Sequence, residues 1–341
     1  MTPAGGAALR IGTRASDLAL TQSGQVGEAL VAGTGHEVEL VHVSTHGDRD
    51  RISPLAQIGG TGVFVAAVRQ ALLDDDVDLI VHSCKDLPTA PLPDIALACF
   101  PPREDPRDAL CARDGLTLAA LPAGARVGTG SPRRAAQLLR ARPDLDVVGI
   151  RGNVETRLGR ALGEHADLDA VVLAASGLRR VGREGAISEL LPLEVMLPAP
   201  AQGALAVETT ADALALGSWF APRLAAVDHP ATRAAVTAER SLLRSLEAGC
   251  SSPVAAFAEI VPEDAEDASA DGDAGTVLHL RALAIRPDGA RAVEGSARVA
   301  IDLAEDTLSG ATSLPSELGA ELAEDLLSRG AGEILAEAGS R

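Results

Sequence analysis

The sequence is poor in aromatic side chains and nearly devoid of lysine. Its 341 residues include no tyrosine and one tryptophan, and Lys85 is the only lysine among the 30 basic residues. Proteins that bind single-stranded nucleic acid stack bases on aromatic side chains, so a binding surface of that kind is not predicted. Because 46% of the residues are hydrophobic but only 1% are aromatic, the cores must be packed with Ala, Leu, Val and Ile.

Cysteine and long hydrophobic runs are also scarce. The four cysteines, Cys84, Cys99, Cys111 and Cys250, form no CxxC pair. This usage indicates neither a disulfide-rich secreted protein nor a metal site, and it favours a cytoplasmic location. No run of 18 apolar residues occurs, and the N-terminus has no basic start followed by a long apolar stretch. We therefore expect neither a membrane span nor a signal peptide.

The net charge is strongly negative but unevenly spread. The whole chain carries −18, whereas residues 103 to 183 hold 14 arginines against 10 acidic residues. Residues 250 to 341 hold 6 arginines against 18 acidic residues. Binding to a phosphate backbone depends on Lys and Arg, so we expect no nucleic-acid partner. A basic middle in an acidic chain instead predicts a small anionic ligand.

The length and the order of predicted elements indicate a multidomain α/β protein. Short apolar strands alternate with helical patterns in the first two thirds of the chain, which is typical of parallel-rich sheets. Proline-rich stretches near 101–106 and 198–200 predict crossings between two lobes. We predict lobe 1 over 1–101 and 204–224, lobe 2 over 107–200, and a third, α+β domain over 228–341.

The third domain is predicted from a change of pattern. A helix from Thr232 to Ala248 is expected to end at Gly249 in the C-cap role, followed by three antiparallel strands and a closing helix. The acidic stretch from Pro262 to Gly275 is predicted to be a solvated or disordered loop. In lobe 1, the glycine cluster from Gly59 to Gly62 has Thr61 directly after Gly60, where a phosphate loop needs Lys followed by Ser or Thr, so we interpret it as a flexible loop rather than a nucleotide site.

The single lysine lies directly after the apolar run from Val77 to Val81, which predicts a buried strand. Proteins of the α/β class place their chemistry at the carboxyl ends of such strands. Lys85 could be an accident of an arginine-rich composition, and Asp86 could be a cap ahead of Leu87. Alternatively, the Asp86 carboxylate faces positive charge that develops on a substrate. At ~4 Å and an effective dielectric constant of about 20, that interaction is worth about 4 kcal/mol.

Arginines recur where a predicted strand ends and the next helix begins. A lone arginine near a helix end is usually a solvated surface residue, but four such turns converging on one cleft predict a binding site. Ser16, Ser131 and Asn153 are predicted helix caps there, and helix N-termini favour anions. Guanidinium groups bind carboxylates through two parallel hydrogen bonds, so the predicted ligand carries several carboxylates or phosphates. The arginines in these turns are Arg14, Arg133, Arg134, Arg151, Arg157, Arg179 and Arg180.

Six motif runs cover nearly the whole chain in a fixed order. They are Arg10–Ser16, His82–Pro88, Gly128–Arg134, Arg151–Val154 with Arg157, Leu197–Gly203 and Glu247–Cys250. Together these runs resemble the porphobilinogen deaminase family, whose members are also called hydroxymethylbilane synthases. The resemblance implies two lobes like periplasmic binding proteins and a third domain that carries a cysteine. It also implies that four porphobilinogen molecules lose ammonia in turn and are joined head to tail, giving hydroxymethylbilane.

The resemblance assigns a cofactor and a role to each matching residue. A dipyrromethane, two linked pyrroles, would be attached through Cys250 and would remain on the protein as a primer. Asp86 would be the catalytic residue, and no metal is implied. The remaining cofactor-binding residues would be Lys85, Ser83, Ser131, Arg133 and Arg134. The substrate-binding residues would be Arg14, Ser16, Arg151, Arg157, Arg180 and Gln202. Gln57 and Thr61 depart from the lysines that are common in the glycine loop of this family.

Two other functions fit part of the pattern. A two-lobed, arginine-lined protein could bind a polycarboxylate solute without catalysis, although the predicted third domain and the absence of a signal peptide argue against this. Lys85 could instead hold pyridoxal phosphate as an imine, because a desolvated lysine can act as a nucleophile. No oligomer interface is predicted, so we expect a monomer.

Overall fold

The computed structural model describes residues 8–43, 62–249, 252–262, 276–303 and 313–339. Gln57, Thr61, Cys250 and residues 263–275 of the acidic stretch lie outside the described residues. The chain divides into two compact units. The first unit is Met1–Arg103 with Ala204–His229, and the second unit is Glu104–Gly203 with Pro230–Arg341.

The first unit is built on a five-stranded sheet flanked by helices. Its first helix begins at Ser16, whose side chain accepts a hydrogen bond from the Ala19 amide at 3.3 Å. Gln22, Val26 and Leu30 follow at a spacing of four and are buried, as an amphipathic helix requires. The elements are β1 (Leu9–Thr13), α1 (Asp17–Val31), β2 (Val38–His42), α2 (Gly62–Leu73), β3 (Leu79–Ser83), β4 (Ile95–Cys99), β10 (Leu205–Thr210), α6 (Ala211–Ala215) and α7 (Ala221–Val227).

One strand of this sheet runs against the others. The strand order is β2-β1-β3-β10-β4, in which β1 pairs in parallel with both β2 and β3. Strand β10 is antiparallel to β3 on one side and to β4 on the other. Four strands therefore share one direction, and the fifth is the strand that begins directly after residues 104–203.

The second unit contains a sheet of the same design. Its order is β7-β6-β8-β5-β9, with β6 parallel to β7 and β8, and β5 antiparallel to β8 and β9. The antiparallel strand is again the one that enters from the other unit. The elements are β5 (Asp108–Ala112), β6 (Arg126–Thr129), α3 (Pro132–Ala141), β7 (Asp146–Gly149), α4 (Val154–Leu162), β8 (Ala170–Ala174), α5 (Ala175–Arg180) and β9 (Glu189–Leu190).

The C-terminal part of the second unit is an antiparallel sheet covered by helices. The sheet order is β11-β12-β13, and its buried face packs against α8 and α9. The predicted α/β class with parallel-rich sheets and a C-terminal α+β part is confirmed. The elements are α8 (Pro230–Ser245), β11 (Val254–Pro262), β12 (Thr276–Ile285), β13 (Ala292–Ala300), α9 (Leu314–Ser328) and α10 (Ala331–Gly339).

The C-terminal part packs closely on α3 within the second unit. The turn between β12 and β13 places Gly289 with φ at +74°, where a Cβ would lie 2.6 Å from the carbonyl oxygen of Ala136. Only glycine fits this approach. Buried Glu239 of α8 also accepts hydrogen bonds from the backbone N–H groups of Ala201 and Ala258.

The predicted boundaries of three separate domains stay a prediction, since residues 104–203 and 230–341 group together here.

The predicted end of the third-domain helix was wrong. Helix α8 ends at Ser245, and the left-handed residue that terminates it is Glu247, with φ at +49°. The Glu247 amide donates to the Arg244 carbonyl and the Ala248 amide donates to the Leu243 carbonyl, as in a Schellman motif. Gly249 therefore lies beyond the cap.

Candidate active site

The first unit brings two of the predicted site segments to one edge of its sheet. Strands β1 and β3 are parallel neighbours, so their carboxyl ends lie side by side. Arg14 and Ser16 follow β1, whereas Lys85 and Asp86 follow β3. These four residues therefore share a sheet edge in the first unit, while the convergence of all the arginine turns on one cleft stays a prediction.

The turn that carries Lys85 and Asp86 has a fixed backbone. It is a single 3-10 turn, Cys84–Asp86, in which Cys84 is buried, Lys85 is half-buried and Asp86 is exposed. The Cys84 amide donates to the carbonyl of Ala204 at 3.0 Å, and the Leu87 amide closes the turn on the Cys84 carbonyl at 3.1 Å. An anchored backbone thus presents the Asp86 carboxylate to solvent.

Ser83, the last residue of β3, is held from the α1 side. Its hydroxyl and the side-chain amide of Gln22 exchange two hydrogen bonds, at 3.0 and 3.1 Å. Ser16 acts as the cap of α1, as predicted. Both serines therefore fasten the segments that surround the Asp86 turn, while their predicted contacts with ligands stay predictions.

A buried ion cluster lies behind the end of β3, and the sequence patterns did not reveal it. Glu208 of β10 is only 3% exposed. It accepts hydrogen bonds from Arg69 of α2 at 2.5 and 2.9 Å, and its Oε2 lies 3.0 Å from Nε2 of His82. Burial raises the pKa of the Glu208 carboxyl, but the hydrogen bonds from Arg69 and His82 outweigh burial and lower this pKa to about 2. Glu208 is therefore ionised in the folded protein.

This low pKa predicts a loss of stability in acid. Since the folded-state pKa of Glu208 lies below the ordinary value of 4.5, its contribution is complete above that pH and is lost as the pH falls toward about 2. We expect the difference in free energy of unfolding between the unchanged chain and Glu208→Gln to shrink by about 3 kcal/mol over this window. Urea unfolding of both proteins between pH 5 and pH 2 measures this difference. A difference that does not vary with pH would contradict the predicted titration.

The second unit gathers three of the predicted arginine turns at one sheet edge. Strands β7, β6 and β8 are parallel neighbours, so the turns after them lie together. Two predicted caps are confirmed at this edge. Ser131 accepts the Arg134 amide at 3.5 Å, with Pro132 as the first helical residue of α3, and Asn153 accepts the Thr156 amide at 2.8 Å.

Arg133 and Arg134 point inward and are nearly fully buried. The Nη1 of Arg133 donates to Asp108 at 2.8 Å and to the Leu197 carbonyl at 2.6 Å. Arg134 donates to the other oxygen of Asp108 through Nε and Nη2, at 2.9 and 2.7 Å. The anion that these two guanidinium groups bind in the structure is thus a carboxylate of the chain itself.

Asp108 corrects the expectation that Asp86 is the one acidic residue among these arginines. Asp108 is the first residue of β5, and because β5 runs antiparallel to β8, it pairs with Ala174 at the end of β8. A search for polar residues at the carboxyl ends of strands therefore overlooks it. Burial raises the pKa of the Asp108 carboxyl, but Arg133 and Arg134 outweigh burial and hold this pKa well below its usual range.

Gln202 joins the same buried cluster. Its side-chain amide donates to Asp108 at 2.7 Å and to the carbonyl of Pro106 at 2.8 Å, and its oxygen accepts from Arg134 at 3.3 Å. Gln202 thus connects its own segment and the segment that contains Pro106 and Asp108 to Arg134 of α3. Its predicted contact with substrate stays a prediction.

Three further predicted arginines are less buried. Arg180 of α5 is half-buried and donates to the carbonyl of Gly203 at 2.6 Å, and burial lowers its pKa. Arg157 is half-buried and donates to the carbonyl of Gly152 at 2.8 Å. Arg151 is exposed. The guanidinium groups at this edge therefore range from buried to exposed.

Comparison with solved structures finds low similarity. A YaeC-family lipoprotein from Enterococcus faecalis is 13% identical, with a TM-score of 0.37, over 64% of this chain and 90% of the lipoprotein.

Comparison with protein families and with curated proteins covers nearly all of the chain. The family model described as "Porphobilinogen deaminase, dipyromethane cofactor binding domain" matches residues 9–217, and "Porphobilinogen deaminase, C-terminal domain" matches residues 233–328. Porphobilinogen deaminase from Thermobifida fusca is 51% identical over 96% of each chain. Porphobilinogen deaminase 1 from Streptomyces coelicolor is 50% identical over 97% of this chain and 98% of its own. The chain therefore belongs to the porphobilinogen deaminase family, and it contains the family's dipyrromethane cofactor-binding domain.

Proposed function

We propose that the chain joins four porphobilinogen molecules head to tail, with loss of ammonia at each step, to give hydroxymethylbilane. The observation that carries this proposal is the exposed Asp86 carboxylate, which an anchored turn presents at the sheet edge that also bears Arg14. A carboxylate there suits a cationic intermediate, and arginine suits the acetate and propionate groups of each pyrrole.

The second unit has the donors that a dipyrromethane requires. The Nε of Arg133 is buried with no hydrogen-bond partner among the described residues. Arg151 and Arg157 add guanidinium groups at the same sheet edge. Because the cofactor carries several carboxylates, these donors fit it, and Cys250 is proposed as its point of attachment. When bound, the dipyrromethane supplies the pyrrole carbon to which the first substrate is joined.

We assign the binding roles by chemistry. Arg14, Ser16, Arg151, Arg157, Arg180 and Gln202 are proposed to bind and orient substrate carboxylates. Lys85, Ser83, Ser131, Arg133 and Arg134 are proposed to hold the cofactor. The lowered pKa of Arg180 reflects a partly desolvated charge, and a carboxylate ligand would compensate that loss of solvation.

Asp86 is proposed to act on the charge that develops in the substrate. The aminomethyl group reacts in its protonated form, so that when the bond between its carbon and nitrogen breaks, the nitrogen leaves as ammonia and the positive charge remains on the pyrrole. The Asp86 carboxylate accepts a hydrogen bond from the pyrrole N–H and stabilises this cation. A carbon–carbon bond then forms, and the coupled ring loses a proton. Water would supply the hydroxyl group when the completed tetrapyrrole is released. Preorganised electrostatic stabilisation of this kind acts mainly on the transition state.

Incubation of the purified protein with porphobilinogen tests this function. We expect ammonia release together with stepwise mass increases of one pyrrole unit on the intact protein. A Cys250→Ala protein is expected to lack the covalent pyrroles, whereas a Cys111→Ala control, which alters a buried thiol of β5, retains them. An unchanged mass without ammonia release would refute the function and favour a solute-binding role. Pyrroles still attached to Cys250→Ala would refute the attachment site.

We also propose a cytoplasmic monomer that acts on a small molecule without nucleic acid. The net charge of −18 supports the absence of a polyanionic partner, and the cysteine usage supports a reducing compartment. No helix within the described residues is long and apolar enough to cross a membrane.

A further inference from the structure

The strand that leads to Asp86 is held on both of its faces. Successive side chains of a strand point to opposite sides. Ser83 points toward α1 and pairs with Gln22, whereas His82 points to the other face and meets Glu208. The backbone beyond Ser83 is fixed in addition by the hydrogen bond from Cys84 to Ala204.

The contacts on the second face form a closed ionic cluster. Oε2 of Glu208 accepts from Nε of Arg69 at 2.9 Å and lies 3.0 Å from His82, while Oε1 accepts from Arg69 at 2.5 Å. The side chains of Arg69, His82 and Glu208 are 12%, 9% and 4% exposed. Because Glu208 is ionised, the proton between it and the imidazole lies on His82 Nε2. Each of the two carboxylate oxygens is therefore occupied.

We infer that Arg69, Glu208 and His82 are positioning residues for the reaction, because they lock the end of β3 from which the turn bearing Asp86 departs. This inference rests on the proposed role of Asp86. None of the three residues needs to touch the substrate. They determine where the Asp86 carboxylate lies relative to the charge that develops on the substrate. A small displacement of a catalytic group lowers the reaction rate by a large factor.

The cluster predicts which substitutions are tolerated. His82→Leu removes the donor to Glu208 but fills a similar volume with an apolar side chain. His82→Gln retains a side-chain N–H that can reach the same carboxylate oxygen. Glu208→Gln replaces one carboxylate oxygen, which accepts hydrogen bonds, by an NH2 group that can only donate. This NH2 group must face Arg69 or His82, which are themselves donors. The positioning role therefore predicts loss of rate in the first and third variants and recovery in the second.

The experiment measures kcat and KM for porphobilinogen in these three variants, each checked for folding by its thermal midpoint. We expect His82→Leu and Glu208→Gln to lower kcat by about tenfold to a hundredfold with little change in KM. His82→Gln should recover most of the rate. Thr209→Val is the matched control, since it removes a hydrogen bond of 2.9 Å from the hydroxyl of buried Thr209 of β10 to the backbone carbonyl of Asp78 and should leave kcat unchanged.

Three results test this inference separately from the proposed function. If Asp86→Asn is inactive but His82→Leu keeps full kcat, the positioning role is overturned while the proposed function stands. Failure of His82→Gln to recover the rate lost in His82→Leu would likewise overturn it. If Asp86→Asn keeps full activity, the proposed role of Asp86 and the inference that rests on it both fail, whereas the proposed function fails only if the unchanged chain releases no ammonia from porphobilinogen.

Discussion

An Asp86→Asn protein is expected to release ammonia from porphobilinogen about a thousandfold more slowly than the unchanged chain. The substitution preserves the shape of the side chain but removes its negative charge. One ion pair at ~4 Å and an effective dielectric constant of about 20 is worth about 4 kcal/mol. If that interaction is felt only in the transition state, it corresponds to about three powers of ten in rate. Ammonia release under single-turnover conditions measures this effect.

Lys85→Arg is the matched control for Asp86→Asn, because it alters the adjacent residue of the same 3-10 turn and retains positive charge. Lys85 is proposed to bind carboxylates, which a guanidinium group can also do. We expect Lys85→Arg to lower the rate far less than Asp86→Asn does. Equal losses in the two proteins would assign the effect to the turn as a whole and contradict a specific role for the Asp86 carboxylate.

Removal of the Asp108 carboxylate is expected to have the largest effect on stability. Asp108 is fully buried between Arg133 and Arg134, which are 3% and 5% exposed. An Asp108→Ala protein would leave two buried guanidinium groups without their counter-ion. Breaking a buried ion pair from one side costs about 3–5 kcal/mol, so the midpoint of urea unfolding should fall sharply at neutral pH.

A triple substitution provides the control for Asp108→Ala. Replacing Asp108, Arg133 and Arg134 together by Leu, Met and Leu removes the stranded charges, and such apolar replacement is often neutral or stabilising. We expect the triple variant to unfold at a higher urea concentration than Asp108→Ala. If Asp108→Ala is as stable as the unchanged chain, the buried pairs do not contribute to stability in the way that their geometry indicates.

Local features of this fold could be predicted from the sequence because their partners lie within one turn of chain. Ser16, Ser131 and Asn153 each accept an amide three residues ahead. That spacing is visible in the sequence as a cap before a helical pattern. The strand ends that bear Asp86 and the arginine turns could be predicted for a similar reason, since an apolar run followed by polar residues is a local signal.

The ionic clusters could not be predicted because their members are distant in the sequence. Glu208 lies 139 positions from Arg69 and 126 from His82, and Asp108 lies 25 positions from Arg133. The direction of β5 also matters, because only an antiparallel strand brings its first residue to the edge where β8 ends. No local pattern encodes that direction.

The helix end at Glu247 was missed for a different reason. Glycine is the usual left-handed residue at a helix terminus, so Gly249 was the natural expectation. Here the Schellman hydrogen bonds form two residues earlier, and a glutamate adopts φ of +49°. Backbone strain at a non-glycine residue is set by the surrounding packing rather than by residue preference.

The position of β10 in the first sheet has a consequence for synthesis of the chain on the ribosome. Strand β10 fills the interior place between β3 and β4, yet it is made only after the 100 residues of 104–203. Until then the nascent first unit exposes two unpaired strand edges, which are prone to aggregation. The five strands β5 to β9 of the second unit all lie between residues 108 and 190. Since this sheet needs no strand from a later part of the chain, we expect it to form first. Chaperone contact during translation should therefore concentrate on the first unit.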